Sequence, residues 1–166
     1  MIDILTAPNT NNAEYISVFL AGGITGCPDW QKEVIQELES EDISVYNPRQ
    51  ENFDVADKSA SYKQIVWEYE RLEKMDIFSI YFSGSDSLQP ICMYELGRNI
   101  VRMQNRFPND WQKRIVISVE DGYKRAQDVI VQVELCSGLH INTSATPQLH
   151  AQKIINAKME VEHEID

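Results

Sequence analysis

The chain has 166 residues, 43% hydrophobic and 25% charged, with a formal net charge of −11. That composition fits one globular domain with one sizeable core. The acidic balance repels a phosphate backbone and argues against nucleic-acid binding, and the apolar runs are too short for a membrane span. The opening MIDILTAPNTNN lacks the basic region and long apolar run of a secretory signal, so a cytoplasmic protein is expected. Cys27, Cys92 and Cys136 form no CxxC pair, and His140, His150 and His163 have no zinc-ligand spacing. Neither a disulfide framework nor a metal or other cofactor is expected.

In chain order, residues 16–22 (SVFLAGG) read as a buried strand ending in glycines. Pro28 suits the first position of a helix that continues through DWQKEVIQELES at helical spacing. Residues 43–48 (ISVYNP) predict a second strand, stopped by Asn47-Pro48. Residues 49–60 are polar and read as an active-site or lid loop. Ser61 with Gln64 suggests a capping box for a helix to about Met75, with Ile65, Tyr69 and Leu72 on one face. Residues 76–83 (DIFSIYFS) are a third strand. Pro90 opens a helix to about Gln104, with Cys92, Leu96, Ile100 and Met103 as its core stripe. Residues 114–120 (RIVISVE) are a fourth strand. Residues 124–137 read as a helix, although the alternation of Val129, Val131 and Val133 also permits a strand. LHINTS predicts a short fifth strand, Thr146-Pro147 starts a C-terminal helix, and the tail EVEHEID is expected to fray.

Strand and helix alternate throughout. This predicts a single α/β domain over residues 1–166, core about 16–158, with a doubly wound parallel five-stranded sheet. In such sheets ligands bind at the carboxyl ends of the strands, near the point where strand order reverses. The loops 22–28, 47–60 and 83–90 should meet there. Candidate ligand contacts are therefore Gly22, Gly23 and Ile24, then Trp30 just beyond them. Asn47, Ser87 and Gln89 follow from the other two loops, and Tyr94 adjoins Glu95.

AGGITGCPDW precedes a helix and could cradle an anion or a sugar, or be only a tight turn; it is neither GxGxxG nor GxxxxGK[ST]. Glu95 falls beside the core stripe, early in its helix, where the helix dipole favours the ionised form. An ionised carboxylate can attack a sugar carbon. Glu68 lies at the border of the expected buried face, where burial would raise its pKa, completing an acid/nucleophile pair. Spacing alone favours the plainer readings: Glu95 exposed and paired with Arg98, Glu68 solvated, and Trp30 and Trp67 in packing rather than stacked on a base.

VFLAGGITG…DWQ, NPR, WEYERLEKMDIFSIYF and SLQPICMYELGR, in that order, resemble the nucleoside 2-deoxyribosyltransferase superfamily, in its branch of short bacterial and phage-type proteins. The resemblance covers about residues 16–104 and continues more weakly through GYKRAQDVIVQ. It implies a flavodoxin-like fold and a small-molecule nucleoside or nucleotide as partner. It also implies that Glu95 is a nucleophile toward C1′ of deoxyribose, with a second base or water taking the sugar. Glu68 matches the assisting position on the preceding helix, where the related nucleotide hydrolases carry Asp. A retaining pair of this kind has carboxyl groups about 5–5.5 Å apart. The loop Gly22–Gly26 matches the sugar- or phosphate-contacting loop, and GGITG lacks evident phosphate contacts, which favours nucleosides. The resemblance further implies a homo-oligomer, with Asn142 a candidate for completing a neighbour's site. Hydrolysis of a nucleoside or nucleoside 5′-monophosphate, and non-catalytic sensing of a nucleoside-like ligand, are the alternatives.

Overall fold

The computed structural model describes residues 1–51, 53 and 56–165. Five parallel strands, β1 (Ile2–Leu5), β2 (Ser17–Gly22), β3 (Ile43–Tyr46), β4 (Ile77–Phe82) and β5 (Ile115–Val119), form one sheet in the order β1-β3-β2-β4-β5. The helices are α1 (Trp30–Glu37), α2 (Lys58–Lys74), α3 (Pro90–Arg106), α4 (Ala126–Ser137) and α5 (Pro147–Ile165). Among the described residues no helix is long and apolar enough to cross a membrane.

The central strands are apolar runs because both their faces are covered. Phe19, Ala21, Phe78, Ile80, Phe82, Ile117 and Val119 belong to one core, with Trp67 and Leu72 of α2, the Cys92–Leu96–Ile100–Met103 stripe of α3, and Val129 and Val133 of α4. Val18, Leu20, Ile77, Tyr81 and Val116 belong to the other, with Trp30, Val34, Ala151 and Ile154 of α1 and α5. The period-2 alternation of strand side chains thus divides the interior into two layers, giving a doubly wound, flavodoxin-like α/β fold.

Several expectations shift. LHINTS forms no strand; Asn142 makes one parallel bridge to Ser118. The fifth strand is Ile2–Leu5, paired with β3 from Ile2–Ile43 to Leu5–Tyr46. Helix α1 begins at Trp30 rather than Pro28, because Asp29 caps it by accepting from the Lys32 backbone N–H. Helix α2 begins at Lys58 with Asp57 as its cap, so Ser61 lies inside it and the preceding loop is shorter than 49–60. Residues 52, 54 and 55 of that loop lie outside the described residues.

The buried side of α2 is Gln64, Trp67, Arg71 and Leu72, while Ile65 and Tyr69 are 61% and 50% exposed. The Trp67 indole sets this rotation by packing against Phe19 and Tyr46. Helix α5 continues through Ile165 rather than fraying, with Val161 buried and Lys158 paired to Glu162. Asp166 lies outside the described residues.

Candidate active site

Strand order reverses at β2, which has β3 on one side and β4 on the other. At the carboxyl ends of β2 and β4 lies a cavity of about 230 Å3. Its walls are Phe19 and Ala21 of β2, residues 22–25, Pro48, Glu68 of α2, Ser87, and Gln89–Cys92 with Glu95 from the start of α3. The loops after β2, β3 and β4 therefore meet as the strand-end rule requires, and Glu68 and Glu95 share the cavity.

The loop after β2 is shaped by close contacts at two glycines, of which Gly22 meets backbone. Gly22 has φ +152°, and a Cβ there would stand 2.4 Å from the Trp30 ring and 2.5 Å from the Tyr81 carbonyl oxygen. A Cβ at Gly23 would stand 2.4 Å from Cys27 Sγ and 2.6 Å from Gln89 Oε1. Gln89 fills that space. Its backbone is left-handed (φ 49°), an uncommon conformation for a residue with a side chain. From there Oε1 accepts from the backbone N–H groups of Gly23 (3.2 Å) and Ser83 (3.3 Å), and Nε2 donates to the Ser83 carbonyl (2.9 Å). Gln89 is thus a brace joining the loops after β2 and β4. Arg49, from NPR, ties the third loop in: it donates to Gln31 Oε1 and the Pro28 carbonyl and pairs with Asp29.

Glu95 sits in the second turn of α3, partly buried. Burial first, and the charge of Glu68 second, push its carboxyl up to about 7, against a smaller downward pull from Arg98. This corrects the expectation that the helix dipole keeps Glu95 ionised: the loss of water and the neighbouring carboxylate outweigh the dipole. The guanidinium of Arg98 is turned to Glu73 (3.8 Å) and stacked over Tyr69 (4.6 Å) rather than paired with Glu95. Glu68 is also raised by burial, and Gln64 opposes that rise by donating to its Oε1 at 2.6 Å. Among the described residues no Lys or Arg lines the cavity.

Other candidates fall elsewhere. Trp30 is only 2% exposed: its ring stacks on Tyr81 and its Nε1 donates to the Gly23 carbonyl (3.0 Å). It supports the glycine loop from the opposite core and does not line the cavity. Asn47 is used within its own turn, accepting from the Arg49 backbone N–H. Tyr94 is 63% exposed and outside the lining. Asn142 donates to the Ile117 carbonyl beside β5. The sequence reading missed Phe19, Ala21, Ile91 and Cys92 as wall residues, while Thr25, Pro48 and Pro90 fall inside the loops it marked without naming them as contacts. Phe19 and Ala21 were open to inference, since alternation along β2 puts them on the side of α2 and α3. Among the described residues no group of three or more His, Cys, Asp or Glu is placed to hold a metal ion.

The fold thus places a cavity at the switch point of a flavodoxin-like sheet, faced by a carboxyl group from each of α2 and α3. The family model described as nucleoside 2-deoxyribosyltransferase like matches residues 15–107, from β2 to the end of α3. That is more than half of the chain, and the chain belongs to this family. No curated protein matches it.

Proposed function

We propose that the protein moves 2-deoxyribose between nucleobases by double displacement, with Glu95 as the nucleophile and Glu68 as the acid/base. The observation that carries this reading is the convergence of the two carboxyls on one cavity, where the charge of Glu68 adds to burial in raising the proton affinity of Glu95. Both carboxyls are raised, Glu95 to about 7, which supports a proton on the pair near neutral pH. With that proton on Glu68, the Glu95 carboxylate attacks C1′. The C1′–N bond breaks, its electron pair goes to the departing base, and Glu68 gives that base the proton. A second base then attacks C1′, Glu95 leaves as carboxylate, and Glu68 takes a proton from the incoming nitrogen. Two inversions give net retention. A wall free of cations supports a neutral nucleoside over a nucleotide.

The test is to incubate purified protein with deoxynucleosides, with and without a second free base, and to follow products by chromatography. Base exchange with retained configuration, and a sugar adduct on the peptide holding Glu95 in quenched samples, are expected. Free base released equally in both arms would make the protein a hydrolase instead. Binding without turnover would make it a sensor.

A further inference from the structure

Gln64 stands one helical turn before Glu68 on α2, buried and outside the cavity lining. Its Nε2 lies 2.7 Å from the Pro48 carbonyl oxygen and 2.6 Å from Glu68 Oε1. Its Oε1 accepts from Gln50 Nε2. A backbone carbonyl only accepts, so the amide atom that meets Pro48 has to be the nitrogen. The orientation of the amide is thereby set without reference to Glu68. One N–H is taken by Pro48, and the other is delivered to Glu68.

We infer that Gln64 is a positioning residue of the site: clamped by Pro48 and Gln50, it occupies Oε1 of Glu68 and leaves Oε2 to take and give up the proton. The inference rests on the reading of Glu68 and Glu95 as the reacting pair. A hydrogen bond from a neutral donor strengthens when its acceptor is charged, so Gln64 favours the carboxylate form of Glu68. In the empty site Glu68 is then ready to accept the proton of Glu95, which activates the nucleophile, and it later passes that proton to the departing base. Among the described residues, the ionisable groups that line the cavity with Glu68 are Glu95 and the Cys92 thiol, both on α3. Because Pro48 is also a wall of the cavity, the same amide ties the turn after β3 to the carboxylate.

The test combines carbon NMR titration of protein labelled at glutamate side chains with steady-state kinetics, for wild type, Gln64→Met and Gln64→Glu. Methionine keeps the length and removes the N–H; glutamate removes it and adds a like charge. Thermal melts select the variant that folds. The Glu68 titration midpoint should rise by about one pH unit or more. The kcat should fall about 10–100-fold with KM within about twofold, as for a misplaced group that does not touch substrate. An unmoved Glu68 midpoint in a folded variant, or a loss confined to KM, overturns the role of Gln64 while Glu95-dependent turnover stands. If the midpoint rises but Glu95→Gln keeps full turnover, the reaction itself is wrong and the positioning role falls with it.

Discussion

The two faces of the sheet bury titratable groups to opposite ends. Under α1 and α5, His150 is fully enclosed, edge-on to Trp30 and Tyr81, with Nδ1 2.8 Å from Ser118 Oγ. Burial drives its pKa down to about 3, so it stays a neutral part of the packing. Under α2 and α3, burial, with the Glu68 charge beside it, drives Glu95 up to about 7, where a proton is exchangeable under ordinary conditions. Desolvation is common to both. What separates them is that Glu95 opens onto a cavity and has a second carboxyl for company, whereas His150 opens onto nothing. Burial tunes a group, and access makes the tuning usable.

The sharpest way to break this comparison is Glu95→Gln. Turnover should fall on the order of 10⁴-fold or more, because on the proposed mechanism the nucleophile is gone. Stability should move the other way, and its sign follows from linkage. The folded carboxyl titrates near 7 and the unfolded one near 4.5, so the stability it contributes is fully present below 4.5 and is lost as pH rises through 7. The variant should therefore be more stable than wild type at pH 8, by roughly 1–3 kcal/mol, and alike at pH 4. Equal melting curves at pH 8 would deny that Glu95 is strained by its site.

Glu68→Gln should reduce turnover by about 10²–10⁴-fold with slow chemistry rather than weak binding. Unchanged kcat would remove it from the mechanism. Trp30→Ala tests the other face: it should destabilise the fold by about 3–5 kcal/mol, read from denaturant melts, since it empties a core site and frees the Gly23 carbonyl. A stable variant altered only in KM would instead put the indole in contact with substrate. Tyr94→Ala, adjacent to Glu95 but outside the lining, should change kcat/KM by less than about twofold, within the range of ordinary surface substitutions.

Helix α3 was legible in the sequence because its signals are local. Pro90 marks the start, and Cys92, Leu96, Ile100 and Met103 recur at the spacing that the core requires. The face of α2 was not, because Trp67 decides it by reaching Phe19 and Tyr46 on other strands. Ile65 and Tyr69 fit the helical period equally well and ended outside. β1 was missed because four residues carry too little pattern and its partner β3 lies about forty residues away. Glu95 was marked by its motif and by its place beside the stripe. Its proton affinity was not readable, since it depends on how closely α2 brings Glu68 and on how much water the two helices exclude. Trp30 adjoined the glycine loop in sequence, but its side chain passes through to the opposite layer.

β1 joins the sheet through β3 alone, and the chain then returns to β2 through residues 6–16 without a helix. Along that return the Asn9 carbonyl receives Trp67 Nε1 (2.7 Å) and Arg71 Nη2 (3.2 Å), both from α2. An edge strand of this kind is where a native protein first opens, in fluctuations far short of global unfolding. An opening that carries the Asn9 carbonyl away would leave Trp67 Nε1 and Arg71 Nη2, on the helix that carries Glu68, without that acceptor. The N-terminal segment, remote from the cavity in the sheet, is thereby tied to the helix that carries Glu68. Protection of the β3 amides against hydrogen exchange is a gauge of how steadily that carboxyl is held.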